Sequence, residues 1–140
     1  MELSREQTVA EHRKMWKWIS RQIMKDYKEQ YSIKSIFRYK RIYIENNFKN
    51  KYIHSYCFCC NYVYNVHCLF DCIYCPLCWN NENTEKLCTN GYYGSIKQIF
   101  DNTTTRLVYE DRNGISEEGA RRLSKIAYKI AMLEERKDNV

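Results

Sequence analysis

Apolar and polar positions in the first third of the chain follow a helical period. Val9, His12, Trp16, Ile19, Ile23, Tyr27 and Tyr31 recur at steps of three and four residues, which defines one face of a long amphipathic helix. Ser4-Arg5-Glu6-Gln7 reads as a capping box at its start, and no Gly or Pro interrupts it to about Tyr31. Trp16 and Trp18, two residues apart, point to different sides of such a helix. Both are expected beneath neighbouring segments of one domain, although the split leaves room for a helix-mediated dimer. Ser32 and Ser35 permit a break. The apolar and aromatic run from Ile36 to Asn46 is ambiguous between helix and strand, and a helix is preferred.

Asn47 to Tyr56 reads as a loop leading into a cysteine cluster. After the cluster, Asn80-Asn81-Glu82-Asn83, Asn90-Gly91 and Asn113-Gly114 signal turns, with a short helix expected over Tyr92–Phe100 and an extended piece over Arg106–Tyr109. Ser116 then caps a last helix whose apolar face is Leu123, Ile126, Ala127, Ile130 and Ala131. Glu117 and Glu118 suit its positive end, and Arg136 and Lys137 its negative end; the chain after Glu135 is expected to fray. The pattern therefore predicts a mainly α protein with little β. Its long N- and C-terminal helices surround a cysteine-rich module, in one domain over 1–140. That domain divides into a basic helical part (1–53), the module (54–90) and a C-terminal helical part (91–140).

Composition sharpens this picture at one place. All eight cysteines fall within the 32 residues from Cys57 to Cys88. A disulfide scaffold would staple the whole chain, whereas thiols gathered in a reducing compartment more often hold metal. The N-terminus has no apolar leader and no run reaches the length of a membrane span, so an intracellular, cytoplasmic protein is expected. Charge is uneven: residues 1–53 carry 13 Lys and Arg against 6 Asp and Glu. That excess could attract phosphates or an acidic protein face, or form a plain solvated surface. Between Lys34 and Lys51 the cations Lys34, Arg38, Lys40, Arg41, Lys49 and Lys51 interleave with Phe37, Tyr39, Tyr43 and Tyr52, as binding to single-stranded nucleic acid would favour.

Zinc takes four soft ligands in a tetrahedron, and a two-residue gap lets one turn present two thiolates to one ion. Cys57-x2-Cys60 is one such claw, with Cys59 pointing elsewhere. The second is Cys72-x2-Cys75 or Cys75-x2-Cys78; the first is preferred because Pro76 fixes the direction of the chain as it leaves the metal. His67 gives a third option, as part of a knuckle-like Cys57-x2-Cys60-x6-His67-x4-Cys72, but it is more readily a packing residue. Cys68 also stays open as a substitute ligand, and Cys59 and Cys88 have no role. One ion is expected, not two. A catalytic zinc needs an open position and a nearby base, and neither an H-E-x-x-H nor a deaminase pattern is present, so the expected zinc is structural and the protein is not an enzyme.

Several separated runs carry a resemblance: Glu11-His12-Arg13-Lys14-Met15-Trp16-Lys17-Trp18-Ile19, Cys57-Phe58-Cys59-Cys60, Cys72-x2-Cys75-Pro76-Leu77-x-Trp79, Gly91-Tyr92-Tyr93 and Ala127-x3-Ala131-x-Leu133. Together they resemble a family of small cysteine-rich proteins of phages and mobile elements of Firmicutes. The resemblance implies zinc ligation by Cys57, Cys60, Cys72 and Cys75, and it speaks to fold and metal more than to activity. The chain is also similar in kind to zinc-containing anti-CRISPR proteins, which occupy a surface of the type II RNA-guided DNA nuclease. That implies an inhibitor of host defence acting by protein binding, with a phage regulator or nucleic-acid-binding zinc module as the alternative. Many such inhibitors are acidic DNA mimics; this chain is basic, which implies docking on a face that does not hold DNA.

Overall fold

The computed structural model describes residues 1–53, 56–67, 75–77 and 116–136. Among these residues the protein is mainly α, with four helices and no strand: α1 (Arg5–Lys28), α2 (Ile36–Asn47), α3 (Phe58–His67) and α4 (Glu117–Ala131). The capping box forms as expected. Ser4 Oγ accepts from the Gln7 backbone N–H at 3.1 Å, and Gln7 Oε1 accepts from the Ser4 N–H at 2.9 Å. More than six turns later the helix stops short of Tyr31. Gln30 adopts a left-handed backbone (φ 61°), its N–H donates to the Tyr27 carbonyl, and the Tyr31 N–H donates to that of Asp26. This is a Schellman closure built on glutamine where glycine is usual.

α4 lies antiparallel along α1, as three contacts spaced down the pair show. Arg5 bonds Glu135 at one end, His12 bonds the Ile130 carbonyl in the middle, and Ser20 bonds Ser124 at the other. Between them α1 buries Val9, Trp16, Ile19 and Ile23, and α4 buries Ala120, Leu123, Ala127, Ile130 and Ala131. Alanines on α4 leave room for the tryptophan and isoleucines opposite, which is how large and small side chains fill one layer. Burying that set contributes on the order of 1.5–3 kcal/mol per large side chain.

α2 crosses the other flank of α1. Trp18 lies edge-on to Tyr39 and tilted against Tyr43, with ring centroids 6.4 and 5.6 Å away. The two tryptophans thus face different neighbours within one core, and α2 occupies the Trp18 side where a second copy could have docked. A buried polar knot fixes the α1–α2 corner: Asp26 accepts from Tyr39 Oη (2.8 Å), Gln22 Nε2 (2.8 Å) and Lys34 Nζ (3.2 Å). Ser35 caps α2 through the Arg38 N–H.

The described residues 48–53 form neither helix nor strand, in line with the expected loop, but a helix replaces the expected turn around Cys57-x2-Cys60. Phe58, the first residue of α3, packs against Phe48 and Tyr43 with centroids 5.4 and 6.5 Å away. That anchoring lets the chain coil at once. Asn61 and Asn65 of α3 both donate to the Met1 carbonyl, which ties the chain start to this helix. α4 keeps its Ser116 cap and its expected apolar face, with Ile126 only half-buried. It ends at Ala131, so Lys129 and not Arg136 occupies the last turn. Nor is Arg136 frayed: it is buried, and its N–H donates to the Pro76 carbonyl at 2.7 Å, beside a bridge between Leu77 and Glu135. The helix and extended piece expected over 92–109 lie outside the described residues.

Candidate metal centre

α3 begins with its thiols. Cys57 precedes the helix and its carbonyl accepts the Asn61 N–H at 2.9 Å, while Cys59 and Cys60 sit in the first turn. Helix N-termini favour anions, because unpaired N–H groups and the aligned peptide dipoles point there. From the far side the 75–77 segment brings in Cys75, which is buried and held in place by the Pro76–Arg136 and Leu77–Glu135 contacts. Four cysteines from separate stretches therefore meet at one end of α3.

Their contacts form a chain. Cys59 and Cys60 both hydrogen-bond Cys57, and Cys59 also hydrogen-bonds Cys75. Thiol donation from Cys59, then from Cys60, holds Cys57 well below the usual thiol range; burial opposes this and Lys40 adds to it. Cys59 is pushed the other way by its contacts with Cys57 and Cys75 and by burial. The cluster thus separates into one thiolate-like sulfur and one that keeps its proton.

Two of these positions depart from the sequence reading. Cys59 does not point elsewhere; it is buried and bridges Cys57 to Cys75. Lys40, read as part of a basic surface, is 5% exposed. It acts electrostatically on both Cys57 and His12, so α1, α2 and α3 all contribute to the surroundings of the cluster. A signal was available for Lys40, since at 100° per residue it falls among Ile36, Tyr39, Tyr43 and Ile44 on the buried face of α2. His12 is buried and its Nε2 bonds the Ile130 carbonyl at 2.9 Å. Burial lowers its pKa from 6.5 to about 4, with Lys40 and Arg13 contributing in the same direction and the Ile130 bond and Cys57 opposing.

Of the four expected ligands, Cys57 and Cys60 are in contact, Cys75 joins them through Cys59, and Cys72 lies outside the described residues, as do Cys68, Cys78 and Cys88. His67 closes α3 seven residues after Cys60, roughly 10 Å along the axis, too far to share an ion with it. Among the described residues no three His, Cys, Asp or Glu side chains are already arranged as a metal site. The donor chemistry nonetheless fits zinc: thiols in contact at the positive end of a helix, Cys59 and Cys75 buried, Cys57 and Cys60 half-buried, with Cys57 biased towards the thiolate. Completing a tetrahedron then takes a thiol from the undescribed stretch between His67 and Cys75 or from beyond Leu77. No protein-family model, curated protein or solved structure matches this chain.

Proposed function

We propose that this chain is a zinc-stabilised helical binding protein, whose metal is structural and whose action is to occupy the surface of a partner. The observation that carries the reading is the meeting of Cys57, Cys59, Cys60 and Cys75 at the N-terminus of α3. One zinc ion joins Cys57 and Cys60 to Cys75 and Cys72, tying the start of α3 to the segment that precedes Pro76. Such a site contributes folding free energy and leaves no open position for chemistry.

The partner in this reading is a host-defence protein, a type II RNA-guided DNA nuclease, and the setting is the cytoplasm of a bacterial host. Its support is the kinship in kind to zinc-containing anti-CRISPR proteins and the absence of a catalytic motif. No described helix is long and apolar enough to cross a membrane. Exposed Tyr31, Phe37, Tyr52, Tyr64 and Tyr128 offer the aromatic contacts that dominate protein interfaces.

Nucleic-acid binding through the Lys34–Lys51 stretch is the weaker reading. Lys40, Tyr39 and Tyr43 are buried, Lys34 is paired with Asp26, and Arg41 bonds Glu45. The test is DNA cleavage by the nuclease with zinc-loaded protein added before target. Inhibition that saturates near one-to-one supports the proposal. Full cleavage at excess protein across several such nucleases rejects the partner, and protein purified without zinc rejects the centre.

A further inference from the structure

The outer face of α1 carries a feature that neither the metal nor the core explains. Lys14, Lys17, Arg21, Lys25 and Lys28 follow one another at steps of three and four residues. At 100° per residue they fall within an arc of about 80°, opposite the buried face, in a row about 21 Å long. All are exposed except the half-exposed Lys17. Between Lys14 and Lys28 the only acidic residue is Asp26, which is buried in the knot with Tyr39. Lys14 has a weak partner in Glu11 at 3.5 Å, whereas Lys17, Arg21, Lys25 and Lys28 have none among the described residues.

Helix electrostatics accounts for part of this row only. Lys25 and Lys28 suit the negative end of the helix dipole. Lys17, Arg21 and Lys25, however, stack at successive four-residue steps, and like charges one turn apart weaken a helix. A partner supplying negative charge at comparable spacing would reverse that penalty. The row borders an open groove of about 450 Å³, in which Arg21, Lys25, Lys28 and Glu29, three cations to one carboxylate, surround Met24, Ser20 and Ser124. No aromatic ring of α1 itself is exposed beside it: Trp18 and Tyr27 are half-buried, Trp18 against Tyr39 and Tyr43. Rings on which bases stack mark binding of single strands, and cations without them mark contact with the phosphates of a duplex.

We infer that the outer face of α1 is a docking surface for the phosphate backbone of duplex nucleic acid, bound without regard to sequence. This inference does not rest on the proposed nuclease partner or on the metal. It assigns the binding to a different element from the Lys34–Lys51 stretch, half of whose cations and rings are occupied within the fold.

The test is fluorescence anisotropy of a labelled 20-base-pair DNA duplex of scrambled sequence, and of its RNA counterpart, titrated with the intact zinc-loaded protein. Five phosphate contacts would weaken DNA binding by about 500-fold between 50 and 200 mM salt. The triple variant Lys17→Gln, Arg21→Gln, Lys25→Gln should cut that change to about 10-fold. Because it relieves repulsion along α1, it should unfold at no lower temperature than the parent. The matched variant Arg38→Gln, Lys49→Gln, Lys51→Gln should keep the full salt dependence. Binding of either duplex in this pattern supports the inference. No binding of both duplexes at 50 mM salt, or a salt dependence lost in the second variant and kept in the first, overturns it. So does salt-sensitive binding of an acidic protein in place of both duplexes.

Discussion

Gln30 and His12 show how single positions set the behaviour of this chain. Gln30 closes α1 in a left-handed conformation that a Cβ disfavours. Replacing it with glycine should raise the unfolding free energy by about 0.5–1 kcal/mol, read as a higher denaturation midpoint in urea; an unchanged or lower midpoint would mean that the Schellman closure carries no strain. His12 makes stability depend on pH. Its folded pKa of about 4 lies below its ordinary 6.5, so the unfolded chain binds a proton in that interval that the native chain refuses. The stability it contributes is complete above pH 6.5, falls as pH drops, and is lost below about pH 4, a change of roughly 3 kcal/mol. His12→Gln keeps a donor for the Ile130 carbonyl and removes the titration. Its stability should therefore fall less steeply than that of the parent between pH 6.5 and 4, with zinc occupancy matched; parallel curves would remove His12 from the acid response.

At the scale of elements, the α1–α2 corner depends on a single carboxylate with three donors. Tyr39 contributes the bond most shielded from water, and burial together with Asp26 pushes its own ionisation upward. Tyr39→Phe preserves the ring packing against Trp18 but takes one donor from a buried charge. It should lower stability by about 1–3 kcal/mol in chemical denaturation, with little change in helix content. Exposed pairs such as Arg41–Glu45 and Arg121–Glu117 should matter much less, since ion pairs in water contribute little.

Across the whole molecule, the thiol cluster joins parts of the chain that local structure would leave apart. α3 meets the 75–77 segment through Cys59 and Cys75, and that segment in turn meets the chain after α4 through Pro76 and Arg136. Removing the proposed zinc with a strong chelator should therefore loosen both the α3 end and the α4 end, and lower the thermal midpoint well beyond the effect of a surface change. Serine at Cys57 or Cys60 should abolish bound metal. Serine at Cys59 should leave one zinc per chain at reduced stability, because Cys59 packs and hydrogen-bonds within the cluster in this reading. Metal counting on the purified variants separates these outcomes. Loss of zinc from the Cys59 variant alone would make Cys59 a ligand in place of Cys60.

The sequence by itself determined what depends on near neighbours. Ser4 with Gln7 and Ser116 marked two helix starts, Ser35 only a break, and the three- and four-residue steps from Val9 to Ile23 and from Leu123 to Ala131 marked the faces that are buried. Caps and periodicity act within one or two turns, so they can be read without knowing what packs where. The tertiary structure decided what depends on residues far apart. It made Phe58 start a helix by seating it on Phe48 and Tyr43, buried Lys40 within electrostatic reach of His12 and Cys57, and held Arg136 against Pro76. It also turned Cys59 from a spare thiol into the link between Cys57 and Cys75. Lysine charge and cysteine spacing are local facts, but whether a lysine is solvated and which sulfurs touch depend on how the helices cross.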